Sequence, residues 1–133
     1  MAQWQLTNRE TNRLVVPELD VAASFWSRLL GWQFRSRPTT GVGLLLAPCA
    51  SIHTCWMRFA LDIVWLDDEG TVLAVGRDVR PWRFAFAPRG TLAVLELPAG
   101  EAEQIQAGVR LMLAAHDPAS RQYLPPCLRQ LAS

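Results

Sequence analysis

Lysine is absent from this chain, and all 13 basic residues are arginine. A Schiff-base lysine and a GxxxxGK[ST] phosphate loop both need that amine, so the enzyme classes built on them are excluded. Cysteine is scarce: Cys49, Cys55 and Cys127 are odd in number and lack a C-x-x-C spacing. That pattern argues against a disulfide framework or a zinc ribbon and for reduced thiols, although the spacing leaves a Cys49–Cys55 bridge open. No apolar run reaches about 18 residues, and Met1–Leu6 has no basic stretch leading into an apolar one, so neither a membrane span nor a secretory leader is expected. A soluble, cytoplasmic chain follows. An excess of charge is missing as well. The net charge of +1 gives no general pull toward nucleic acid or an anionic membrane, so neither partner is expected and any electrostatic site must be local.

What is present is ordinary globular material. With 133 residues, 50% of them hydrophobic and 19% charged, the chain reads as a single domain over residues 1–133 with one real core. Arg13–Val16 suggests a short strand that Pro17 ends. Asp20 is then placed to cap a helix over Val21–Leu30, whose residues Val21, Phe25 and Leu29 share a face and which Gly31 closes. Gly43–Ala47 is apolar on both faces, as in a buried strand. Ser51–Met57 alternates, placing Ser51, His53, Cys55 and Met57 on one side and Ile52, Thr54 and Trp56 on the other.

The clearest local signal is Asp62–Leu66, then Asp67-Asp68-Glu69-Gly70, then Thr71–Val75, which spells a strand, a turn and a returning strand. Thr91–Leu97 reads as a further strand carrying one carboxylate, Glu96. Pro98–Gly108 suggests a short helix, Val109–Leu113 a last strand, and the proline-bearing tail 116–133 an irregular segment or one docked by a few side chains. The expected class is α+β: a mainly antiparallel or mixed sheet or partial barrel, with one N-terminal helix and one or two short helices.

The run Ser51-Ile52-His53-Thr54-Cys55-Trp56-Met57-Arg58-Phe59-Ala60-Leu61-Asp62, continuing through Asp67 to Gly70, carries an H-T-x-x-M-R-x-x-L-D pattern. Downstream stand Arg80-Pro81, Leu95-Glu96-Leu97-Pro98-Ala99-Gly100 and Gly108; upstream stands Arg28-Leu29-Leu30-Gly31-Trp32. In this order they resemble an uncharacterised bacterial family known as domain of unknown function number one hundred and ninety-two, over about residues 21–113. Ala60 stands where that family often has proline. The resemblance implies a compact, β-rich fold with short helices, and it implies no catalytic set and no cofactor.

Five residues form the candidate ligand-binding group: His53, Met57, Arg58, Asp62 and Glu96. A carboxylate opening a hydrophobic strand, as Asp62 does, needs backbone N–H groups or an arginine to offset its desolvation, and Arg58 is the nearest candidate partner in sequence. The favoured role for Asp62 is architectural, fixing a turn and pinning the strand. Glu96 either pairs with an arginine such as Arg89 or lines a cleft; were it to meet Asp62, the two could divide acid and base work. His53, Cys49, Cys55 and Met57 offer soft ligands. Alternate strand positions lie about 6 to 7 Å apart, however, so no metal site is assigned and Cys55 and Met57 read as core.

Arg77–Arg89 sets four further arginines among Trp82, Phe84 and Phe86. Its first reading turns the aromatics into the core and leaves the arginines in solvent; its second makes Arg80, Trp82, Arg83 and Arg89 an interaction loop. The leading functional expectation is a small non-enzymatic binding domain taking a small polar ligand or a peptide at a cleft near His53–Asp62. The alternatives are a small hydrolase or lyase using His53 with Asp62 or a cysteine, and a protein-interaction module using the Arg77–Arg89 loop. Oligomeric state is not legible at this level.

Overall fold

The computed structural model describes residues 3–22, 32–33, 35–48 and 51–132. Among the described residues nine strands carry the fold: β1 (Trp4–Asn8), β2 (Leu14–Ala22), β3 (Val42–Leu46), β4 (Ser51–His53), β5 (Leu61–Leu66), β6 (Val72–Val79), β7 (Phe84–Phe86), β8 (Ala93–Pro98) and β9 (Leu111–Ala115). Seven form one sheet in the order β6-β5-β8-β3-β2-β1-β9, while β4 and β7 pair separately. Within the large sheet β2 and β3 run parallel and every other neighbouring pair is antiparallel.

The large sheet curls into a half barrel. At one end the curl closes: Val72 N–H donates to Val109 O (2.8 Å), Gly108 N–H to Val72 O (2.8 Å) and Leu111 N–H to Gly70 O (2.9 Å), so the two edge strands meet. The turn that makes this possible is the expected one. Asp67 Oδ1 accepts from Glu69 and Thr71 N–H, both at 2.9 Å, and Gly70 sits at φ +83° with its Cα so close to β9 that a Cβ would collide with the Leu111 carbonyl oxygen.

Two apolar layers follow from strand alternation. Inside the curl lie Leu6, Leu19, Leu45, Val64, Leu66, Leu95, Leu111 and Leu113. Leu44, Leu46, Leu61, Ile63, Trp65 and Val94 point to the opposite face, joined there by Trp32, Met57 and Phe59. The small sheet covers part of this second layer through Ile52 and Ala85, with Ala87 just past β7 beside them.

Several sequence expectations are corrected. Val21 and Ala22, expected to open a helix, are the last residues of β2; the remainder of that expected helix, 23–30, lies outside the described residues. Pro17 does not end the strand because it sits where β2 has one residue more than β1 between Val16 and Leu19, a bulge where no ladder N–H is demanded of it. The expected Pro98–Gly108 helix is a series of turns. The tail forms 3-10 helices at Pro118–Tyr123 and Pro126–Leu131 and is docked by a few side chains, the second of its two expectations, with Leu124 between the helices and Leu128 and Leu131 in the latter buried in the inner layer. Among the described residues the only helices are of this kind, so the class is mainly β. No helix there is long and apolar enough to cross a membrane.

Candidate functional site

Asp62 is 2% exposed, and its carboxylate is satisfied by backbone. Oδ1 accepts from Asp78 N–H at 2.9 Å; Oδ2 accepts from Gly100 and Ala102 N–H, both at 3.0 Å. Arg58, the partner suggested by sequence, is exposed instead. Arg77 completes the clamp from the neighbouring strand, its guanidinium donating to Ala102 O (2.6 Å) and Ile105 O (2.7 Å). These bonds explain why residues 98–108 are not helical: a carboxylate and a guanidinium have taken the N–H and C=O groups that a helix would have paired internally.

Glu96 lies on the strand beside Asp62 but not on the same side. The register pairs Asp62 with Leu97 and Ile63 with Glu96, so Glu96 shares its face with Ile63 and Leu44 in the outer apolar layer, whereas Asp62 points inward. At 5% exposure Glu96 has an unpartnered Oε2, and burial pushes its carboxyl up from 4.5 to about 7. Neither Arg89 nor any other described arginine pairs with it.

His53 belongs to a third environment. In the small sheet His53 is opposite Phe84, Ile52 opposite Ala85 and Ser51 opposite Phe86. Ile52 and Ala85 pack inward, so His53, Phe84, Ser51 and Phe86 occupy the outer face, and the His53 and Phe84 rings lie 6.2 Å apart. Met57 is buried in the outer apolar layer. The five candidate residues are thus distributed over both faces of the large sheet, the outer face of the small one and open solvent; they do not line one cleft.

The alternation expected over Ser51–Met57 holds only to His53, because Thr54 is committed elsewhere. Thr54 is fully buried, and every polar group it has is used. Its hydroxyl donates to Arg80 O (2.7 Å) and accepts from Arg83 N–H (2.8 Å). Its N–H donates to Arg83 O (2.8 Å), and its carbonyl accepts from Trp82 and Met57 N–H, both at 3.1 Å. Around this hub Trp56 and Trp82 both adopt the left-handed backbone region, at φ +66° and +64°. Their rings meet edge to face at 4.7 Å between centroids.

The expectation that Trp82, Phe84 and Phe86 turn into the core is overturned. Trp56 and Trp82 are each 53% exposed, Phe84 70% and Phe86 79%. A strand must put either the two phenylalanines or Ala85 and Ala87 inward, and here the alanines go in, letting the small sheet approach the outer layer closely. Arg58, Arg80, Arg83 and Arg89 are exposed beside these aromatics in the chain, and among the described residues none of the four is ion-paired. Thr54, Trp56, Phe84 and Phe86 were missing from the sequence candidates; the available signal was the small residue at alternate positions, Ala85 and Ala87. Cys55 is a free thiol, and Cys49 lies outside the described residues.

A mainly β half barrel with a small accessory sheet matches a family of unknown function. Residues 6–113 match the model of DUF192, described as an uncharacterized ACR, and the chain belongs to that family. A UPF0127 protein of Thermococcus sibiricus is 25% identical over 108 residues, covering 78% of this chain and 70% of its own length. Another, from Pyrococcus furiosus, is 31% identical over 99 residues, covering 71% and 84%. The crystal structure of a protein of unknown function from Novosphingobium aromaticivorans superposes with a TM-score of 0.70 at 20% identity, covering 82% of each chain, which shows a shared fold.

Proposed function

We propose that this chain is a small non-enzymatic binding domain whose recognition surface is the outer face of the small sheet together with the Trp56–Trp82 pair. The observation that carries the reading is the exposure of four large aromatic side chains, Phe84 and Phe86 on β7 and Trp56 and Trp82 on left-handed backbone beside the Thr54 hub. A bulky side chain at positive φ costs about 1–3 kcal/mol and persists only where its surroundings over-determine it. Here Thr54 supplies that over-determination, yet the tryptophans it fixes stay half in solvent, so folding gains little from them. Exposed apolar residues grouped in this way mark interaction sites.

Asp62 takes the architectural role in this reading, since three backbone N–H groups already occupy its carboxylate. The enzymatic alternative that joins His53 to Asp62 loses support, because Asp62 faces the interior of the curl and His53 the outside of the small sheet. A reducing compartment such as the cytoplasm suits the free thiols of Cys55 and Cys127.

The test is an amide NMR titration of the full chain against acidic peptides, oligothymidylate, heparin and neutral oligosaccharides. Any binder found should move resonances of residues 51–58 and 80–89 most. A binder whose shifts centre instead on the cavity of about 390 Å³ beside Gly41, Glu101 and Ile105 would refute the assignment.

A further inference from the structure

Resting on that reading, we infer that the occupant of the aromatic face is an acidic, extended segment of a protein partner. Charge comes first. Arg58, Arg80, Arg83 and Arg89 bring four guanidiniums that no described carboxylate neutralises, against Asp78 as the acidic residue of the same segment. An occupant that supplies carboxylates gains bidentate, charge-assisted hydrogen bonds which the free protein leaves unmade. Arginine, tryptophan and phenylalanine are also the residues that protein interfaces favour, whereas lysine, absent here, is one that they avoid.

The shape of the surface points the same way. β4 and β7 are three residues each, so the face runs only about 10 Å along the strands, enough for a short segment and too little for a broad domain interface. Among the described residues β7 pairs only with β4, which leaves β7 an outer edge where an extended chain can hydrogen-bond. Phe84 and Phe86, on one side of β7, offer adjacent apolar seats for alternate side chains, and the Trp56–Trp82 pair bounds the face at the Thr54 end. Single-stranded nucleic acid would also stack on such rings. Its binding domains are strongly basic as a whole, however, and this chain carries a net charge of only +1.

The experiment selects random peptides displayed on phage against the immobilised full chain, then measures the selected peptides by fluorescence anisotropy on wild type, Arg80→Ala/Arg83→Ala and Phe84→Ser/Phe86→Ser. Selected sequences should be rich in Asp and Glu beside an apolar residue, should weaken with added salt, and should lose about tenfold or more in affinity in each double variant. Circular dichroism of the variants must match wild type, so that lost binding is not lost folding. Oligothymidylate binding more tightly than any selected peptide, with the same sensitivity to the substitutions, would overturn the peptide assignment and leave the face as the binding surface. Self-association abolished by Phe84→Ser/Phe86→Ser would likewise assign the face to a second copy, with the acidic Asp67–Glu69 turn as its natural contribution. Selection that enriches nothing, or peptides indifferent to both double variants, would overturn the occupant and the surface together.

Discussion

Asp62 and Glu96 stand on adjacent antiparallel strands, one residue out of register, and their side chains leave the sheet on opposite faces. Asp62 enters the interior of the curl and is held by three backbone N–H groups; Glu96 enters the outer apolar layer with Oε2 unpartnered. A single strand step thus separates a carboxylate that ties the fold together from one that burdens it.

That burden has a pH signature. The folded Glu96 carboxyl titrates near 7 and the unfolded one near 4.5, so the folded chain binds more protons between those values and stability falls as pH rises from about 4.5 to about 7. The loss, taken from the shift, is on the order of 3 kcal/mol, complete above the folded value. Urea unfolding across this range should show the fall in wild type and its near absence in Glu96→Gln.

Asp62→Asn should destabilise by about 2–4 kcal/mol, because an amide nitrogen would replace one acceptor oxygen facing backbone N–H donors. Urea midpoints at pH 7 measure it. A change below about 0.5 kcal/mol would remove the residue from its architectural role.

How much of this was legible beforehand differs by element. The β5–β6 hairpin was readable because its signal is local: apolar strands flank an acidic turn that ends in glycine. The architectural reading of Asp62 rested on desolvation alone and did not need to know which groups would compensate. The Pro98–Gly108 segment misled because what keeps it from being a helix, Asp62 and Arg77, stands about 25 to 40 residues away in sequence. Phe84-Ala85-Phe86 misled for a different reason. Alternation says that the two residue types part, and only the closeness of the small sheet to the layer beneath decides that alanine goes inward. Thr54 is not marked by sequence as a hub at all, since the partners of its hydroxyl come from residues 80–83.

Thr54→Val keeps the side-chain volume and removes the hydroxyl that serves Arg80 O and Arg83 N–H. A loss of about 1–3 kcal/mol is expected, from two buried backbone groups left short of a partner. Tryptophan fluorescence should change with it, because the Trp56–Trp82 pair is set on the same turn.

Trp82→Gly should behave unlike an ordinary aromatic deletion. Glycine accepts φ +64° without a Cβ penalty, so relief of about 1 kcal/mol offsets the packing lost from a half-exposed ring. Stability within about 1 kcal/mol of wild type is expected, alongside lost peptide binding. Trp82→Ala, which keeps the Cβ, should be the less stable of the two.

The most direct measurement on the proposed surface is urea unfolding of Phe84→Ser/Phe86→Ser beside the wild type. Side chains that serve recognition and not the core should leave the free energy of unfolding within about 0.5 kcal/mol per substitution. A combined loss above about 3 kcal/mol, the scale of emptying a core, would mean that the aromatic face holds the fold together and would contradict its assignment as a binding surface.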